Sequence, residues 1–277
     1  MRTLECALSD ERAEFFRGEL DALYACYNRR EWVHPDPLGF LYPYDAPSDR
    51  EIAGLIASSL AYGRVAQIHR SASYVLDRMG LSPSRFLQDA SLGSLRKVFS
   101  SFKHRFTTGD DLAALLFGAR KLIERYGSLE GCFMAGCSPD DSSVFPALSR
   151  FVEKFSLGGE PPAGMLLPSP ARGSACKRLH LFLRWMVRRD EVDPGGWDGV
   201  RASRLITPLD THMHRVGLLL GLTRRRQADL RTALEITTSF KKINPEDPVR
   251  YDFTLTRAGI LDNRELQERL MRLARRS

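Results

Sequence analysis

Two short stretches hold the residues whose types and spacing could do covalent chemistry. The first reads Leu166-Leu167-Pro168-Ser169-Pro170-Ala171-Arg172-Gly173-Ser174-Ala175-Cys176-Lys177-Arg178-Leu179. An apolar pair, a tight Pro/Gly hairpin and a small capping residue lead into a helix. Such a turn leaves backbone N–H groups and a helix N-terminus free to hold phosphate. Lys177 falls in the first helical turn beside Arg178. The positive end of the helix dipole and the adjacent guanidinium both disfavour an ammonium there, which points to an amine available as a nucleophile. The plain alternative is a solvated lysine at a helix start.

The second stretch, Leu205-Ile206-Thr207-Pro208-Leu209-Asp210-Thr211-His212-Met213-His214-Arg215, precedes the apolar run Val216 to Leu220. Asp210 lies thirty-three residues after Lys177 and is placed to cap the helix that follows. Asp210, His212 and His214 also invite a rival reading as ligands of a metal-dependent hydrolase. An extended strand would put both histidines on one face. The Pro-Leu-Asp cap instead implies a helix, on which positions i and i+2 diverge.

Helices must position these residues, because helical periodicity dominates the chain. Residues 11–29 carry Phe15, Phe16, Leu20, Leu23, Tyr24 and Tyr27 on a helical period. A Pro-rich loop follows, and then Ser48-Asp49-Arg50-Glu51 has the form of a capping box opening another helix. Further helices are expected at 66–79, 92–99, 110–126, 143–155, 174–188, 211–220, 227–240 and 248–258, with a polar one at the end. A loop rich in Gly and Pro is expected over 157–172. On the helix after Lys177, Ala175, Leu179, Phe182, Leu183 and Met186 form the buried stripe. Lys177, Leu181, Arg184 and Arg188 fall on another face. Trp185 reads as core, Asp252 as a helix cap or buried hydrogen-bond partner, and Asp190 to Trp197 as a surface excursion. No run alternates long enough for a sheet, so the fold class is all-α.

Composition narrows the class further. The 277 residues are 43% hydrophobic and 27% charged, which excludes a disordered or collagenous chain. The net charge is +7, and it is lopsided. Residues 171–277 hold 22 basic and 13 acidic residues, whereas the first 170 hold 19 and 21. A basic second part fits a polyanion-facing surface. Five cysteines, Cys6, Cys26, Cys132, Cys137 and Cys176, lack metal-type spacing and suit reduced thiols in a cytoplasmic protein. None follows Cys176, which excludes a four-cysteine iron–sulfur cluster near the C-terminus. Neither a signal peptide nor a membrane span is expected.

A hairpin-helix with Lys177 in its first turn, followed by a Pro-x-Asp-x-His that opens another helix, resembles the helix-hairpin-helix DNA glycosylase superfamily. The nearest branch is the 8-oxoguanine one, particularly its archaeal kind with a long insertion between the two residues. The stretch from Asp49 to Ile68, containing Ala61-Tyr62-Gly63-Arg64, resembles that family's DNA-facing helix, loop and helix. The hairpin departs from the family's Leu-Pro-Gly-x-Gly by having one glycine and a longer turn. The chain, through Lys177-Arg178-Leu179, residues 182–188 and Asp247-Pro248-Val249-Arg250-Tyr251-Asp252-Phe253, also resembles a bacterial family known mainly as a domain of unknown function.

The glycosylase resemblance implies a two-lobed helix-hairpin-helix DNA glycosylase fold. One lobe would span 49–140 and face the DNA; the other, catalytic, would span 141–258 and take in the helix at 11–29, with a C-terminal helix at 259–277. Lys177 would be the nucleophile that attacks C1′ of a flipped nucleotide, and Asp210 the catalytic carboxylate. Gly173, Ser174, Ala175, Arg178 and His212 would contact DNA, and Tyr62 or Arg64 would fill the gap left by the extruded base. The implied reaction is excision of a damaged or modified base, with 8-oxoguanine the substrate of the nearest branch and β-elimination as a second step. The implied partner is duplex DNA, met in the nucleoid by a monomer that needs no metal or organic cofactor. A non-catalytic helix-hairpin-helix DNA-binding module is the alternative in another class.

Overall fold

Short polar side chains start most of the helices by accepting a free amide of the first turn, which otherwise lacks a partner. The computed structural model describes residues 8–156 and 166–276. Ser9 caps α1 (Asp10–Tyr27), Ser82 caps α4 (Pro83–Gln88), Ser91 caps α5 (Leu92–Val98) and Ser128 caps α7 (Leu129–Met134). Thr108 and Asp111 form a reciprocal capping box at α6 (Gly109–Tyr126). Asp210 and Asp229 cap α10 (Thr211–Leu219) and α11 (Leu230–Ile243). The other helices are α2 (Pro47–Ser59), α3 (Val65–Met79), α8 (Phe145–Ser156), α9 (Lys177–Val187), α12 (Asp252–Ile260) and α13 (Arg264–Arg276). The all-α class therefore holds. The one described sheet is a hairpin of β1 (Lys103–His104) and β2 (Thr107–Thr108), paired antiparallel with His104 opposite Thr107. No described helix is long and apolar enough to cross a membrane.

Several helix starts differ from expectation; α12 begins at Asp252, four residues after the expected 248, and three others shift for local reasons. Asp229 captures the Thr232 amide, so α11 starts three residues late. Helix α9 begins at Lys177 instead of residue 174, after Cys176 at φ +43°. The capping box expected at Ser48 and Glu51 does not form, because α2 opens at Pro47, two residues earlier than a Ser48 cap requires, and its N-cap Ala46 has no capping side chain. Glu51, 3% exposed, reaches another helix instead. Its carboxylate accepts the Leu129 and Glu130 amides at the start of α7 and the Trp197 indole N–H. The expected loop at 157–172 lies partly outside the described residues, as does Cys6; the other four cysteines are free.

Helix α2 lies at the centre, with Ile52, Ala53, Leu55 and Ile56 fully buried. It meets α9 at Gly54, where an added Cβ would sit 3.4 Å from Phe182 and Met186. A methyl there would fill the contact between the two helices, leaving no room for a larger side chain. Trp185 is fully buried, as the pattern implied.

Two expectations about the region after Lys177 are corrected. Residues 190–197 are no surface excursion: Val192 and Asp193 are fully buried and Trp197 is 2% exposed. The segment folds back on α9, with the Gly195 and Trp197 amides donating to the Trp185 and Met186 carbonyls. Arg184 and Arg188 are also internal, at 2% and 4% exposed. Arg184 donates to Asp193 and Asp252; Arg188 pairs with Asp190, Asp193 and Asp247. Such pairs survive burial because every cation meets carboxylates at hydrogen-bond distance. Arg257 and Asp36 make a further buried pair at 2.7 Å. These pairs take three basic and two acidic residues of the second part inside, with Asp190 and Asp247 half-buried at the edge. The basic surplus of that part therefore lies on the exterior, where Arg172, Arg201, Arg215, Arg224 and Arg226 are exposed.

Candidate functional site

The hairpin before α9 is shaped by its own backbone. Pro170–Arg172 makes one tight turn that closes on Gly173 at φ +78°, a conformation that glycine adopts without steric cost. Ser174 Oγ then accepts the Cys176 amide, and Cys176 Sγ points to the Pro168 carbonyl. The Leu230 amide donates to the Gly173 carbonyl, which ties the hairpin to the start of α11. Gly173 and Ser174 are exposed, whereas Ala175 and Cys176 are buried. Ser174 is therefore a hairpin residue and not the helix cap, and Cys176 in the cap position makes no side-chain capping bond.

Lys177 and Asp210 come together across this junction. Lys177 Nζ lies 3.9 Å from Asp210 Oδ2, with the side chains 35% and 15% exposed. The two oxygens of Asp210 divide their work. Oδ1 accepts the Met213 amide at 2.7 Å and fixes the start of α10, while Oδ2 faces the amine. The pair is an amine beside a carboxylate, reachable from solvent, with each partner anchored at a different helix N-terminus. The negative charge of Asp210 also acts inward. The Asp252 carboxyl at the start of α12 is pushed up to about 6, chiefly by burial and further by Asp210, against the lowering effect of Arg184.

Around this pair the remaining sequence candidates separate. Arg178 turns away from solvent, donating to the Ser59 carbonyl at 2.7 Å and resting 4.9 Å from the Tyr62 ring centroid. Burial pushes its pKa down. Its role in this structure is to join α9 to the end of α2. Tyr62 is likewise anchored, its hydroxyl 2.9 Å from the His104 carbonyl and 2.6 Å from Thr107 Oγ1. Arg64 is exposed at the turn before α3. Of the two gap-filling candidates, then, only Arg64 is free of a packed ring position.

His212 packs on α12, where a Cβ added to Gly259 would collide with its Nδ1. His214 Nε2 meets the Arg225 carbonyl at 2.8 Å. The two imidazoles thus leave α10 toward different neighbours, as the helix geometry implied. No group of three or more metal-ligating side chains occurs among the described residues. The donor set of the rival metal hydrolase is not assembled.

The short helices α4 and α7, the buried arginine network and the β1–β2 hairpin all escaped the sequence reading. The Arg184/Arg188 network carried one signal, two arginines four apart on a helix apolar on both sides of them. The β1–β2 hairpin, with exposed Arg105 and Phe106 at its tip, is too short to show a strand period.

No curated protein and no solved structure matches the chain. A family model described as "Protein of unknown function (DUF2400)" matches residues 36–261, a span that contains Lys177, Asp210, the hairpin before α9 and the β1–β2 hairpin. That span is most of the chain, and the protein belongs to this family.

Proposed function

We propose that this protein is a DNA base-excision glycosylase of the helix-hairpin-helix kind, acting through a lysine Schiff base. The observation that supports it most directly is the 3.9 Å approach of Lys177 Nζ to Asp210 Oδ2 at the junction of two helix N-termini. Lys177 Nζ attacks C1′ of an extruded nucleotide. The C1′–N bond to the base breaks, and the base leaves with that electron pair and takes up a proton. Asp210 stabilises the positive charge that builds on the sugar while the bond breaks. Nζ loses a proton, the sugar ring opens and an iminium links Lys177 to C1′. Loss of a C2′ proton from this iminium to water then forms the C2′=C3′ bond, breaks the C3′–O bond with the 3′ phosphate leaving, and nicks the strand.

The exposed glycine and serine of the hairpin before α9 offer backbone contacts to phosphate, and the basic exterior of the second part supplies the sequence-independent attraction. In this reading duplex DNA lies between the part at 49–140 and the part at 141–258, and an oxidised purine such as 8-oxoguanine is the first substrate to test. The protein would work as a monomer on the nucleoid. The test is borohydride trapping on duplexes carrying a panel of modified bases and an abasic site. A covalent adduct that disappears in Lys177→Ala is expected. Full adduct in that variant removes the nucleophile role, and DNA binding without any adduct or base release returns the protein to the non-catalytic DNA-binding reading.

A further inference from the structure

The β1–β2 hairpin presents an aromatic side chain to solvent on an unusually firm base. Phe106 is 70% exposed, whereas every other described phenylalanine is buried or half-buried. It follows Arg105, which stands at φ +54° as the first of two turn residues. That position normally takes glycine, because a side chain there crowds the backbone. The strain persists only if the surroundings hold it, and they do. His104 is fully buried, with Nδ1 on Ser71 Oγ at 2.9 Å and Nε2 on the Tyr62 carbonyl at 3.0 Å. Thr107 is also buried and meets the Tyr62 hydroxyl. Both residues flanking the tip are therefore fixed, and the tip itself has nowhere to fold inward.

The tip also has a definite place relative to Lys177. Tyr62 carries the Arg178 guanidinium 4.9 Å from its ring centroid and the Arg105 guanidinium 6.0 Å from it. The hairpin and the first turn of α9 thus meet across one aromatic ring. The charge around the tip is basic. Lys103, Arg64 and Arg70 are exposed, and Arg105 lies 5.6 Å from the Phe106 ring. The nearby acids are engaged: Asp111 accepts from Thr108, and Asp110 pairs with Arg96 at 3.5 Å.

We propose that the Arg105–Phe106 tip is a stacking wedge, with Phe106 inserting against the nucleobase beside a gap in duplex DNA and Arg105, Lys103 and Arg64 holding the flanking phosphates. A rigid aromatic stacks on any base and needs no sequence readout, and the surrounding cations match the backbone charge. A groove bordered by Gln67, Arg70, Tyr74, Ser101 and Lys103 continues from the hairpin and extends the same basic track. This inference rests on the glycosylase reading for its occupant, but it does not require the lysine chemistry.

The experiment compares Phe106→Ala, Phe106→Trp and the wild-type chain on two labelled duplexes, one intact and one with a tetrahydrofuran abasic analogue. Binding is read by anisotropy, folding by thermal melting, and adduct by borohydride trapping on an abasic site. Phe106→Ala is expected to bind the abasic analogue about tenfold more weakly than wild type while changing little on the intact duplex. Phe106→Trp should keep the affinity to within about twofold, and its added emission should be quenched by DNA, as stacking requires. Wild-type affinity of Phe106→Ala on both duplexes, or unquenched emission from Phe106→Trp, overturns the wedge. Quenching by anionic phosphatidylglycerol vesicles and not by DNA overturns it in favour of a lipid surface. Adduct in the wild type with an inert Phe106 removes the wedge and leaves the enzyme. A quenched Phe106→Trp without adduct on any duplex removes the enzyme and leaves the wedge, and a chain that binds neither duplex removes both.

Discussion

Lys177 and Asp210 are thirty-three residues apart in the chain and 3.9 Å apart in space, each at the N-terminal end of its own helix. Asp210 is both a structural cap and the counter-charge to the amine, so the two roles must be separated by substitution. Asp210→Asn keeps an oxygen for the Met213 amide and removes the charge. It should melt close to wild type, with borohydride adduct formation slowed about a hundredfold or more. Asp210→Ala should additionally lose about 1 kcal/mol of stability, as helix caps do. An Asn variant that traps at the wild-type rate would remove the charge from the mechanism.

Glu51 holds α2 to the start of α7 and to Trp197. Glu51→Leu leaves two amides and an indole N–H buried without an acceptor, which should cost about 2–3 kcal/mol. Glu51→Gln keeps one acceptor oxygen and should cost less. Chemical denaturation of the two variants checks the order. Equal destabilisation would mean that the carboxylate's charge, and not its lone pairs, does the holding.

The Arg184–Asp193 pair is buried at 2% and 0% exposure and is shared with Arg188 and Asp252. Removing one partner strands the others. Asp193→Ala is expected to lose about 3–5 kcal/mol, measured by denaturant unfolding. The neighbouring loop segment should lose hydrogen-exchange protection along with it, because Asp193 anchors the 190–197 fold-back on α9. Unchanged protection there would show that Trp197 packing alone suffices.

His180 is 1% exposed, and neither ring nitrogen has a hydrogen-bond partner among the described residues. Burial pushes its pKa down from the ordinary 6.5 to about 4. The unfolded chain takes up a proton as pH falls through 6.5, and the folded chain does so only near 4. Stability from this residue is therefore full above pH 6.5 and is lost as pH falls between those values. The gap corresponds to about 3 kcal/mol. His180→Leu should lack this part of the acid sensitivity, so the difference in stability between variant and wild type should widen from pH 7 to pH 4. A constant difference across that range would place a neutral, unstrained histidine elsewhere.

How far the sequence reached depends on the range of the interactions involved. Helix capping acts over three residues, and Asp210 was legible for that reason; so was the first-turn position of Lys177. The same rule misled at Ser48 and Glu51, because Pro47 starts α2 earlier and a carboxylate one turn in can serve a different helix. The apolar stripe of α9 was legible from its period. The burial of Arg184 and Arg188 was not, since it depends on Asp190, Asp193, Asp247 and Asp252 arriving from two other segments.

By itself, the sequence determines the all-α class, the Asp210 cap, the core stripe of α9 and the two residues whose chemistry can be paired. Each of these is settled within about one helical turn, by backbone amides seeking acceptors and apolar side chains falling on one face. The tertiary structure alone decides that Lys177 meets Asp210, that Arg178 and Tyr62 are spent on packing, and that Phe106 stands out beside them. Those outcomes join residues tens of positions apart, and only the packing of α2, α9 and the β1–β2 hairpin fixes which of them share a surface.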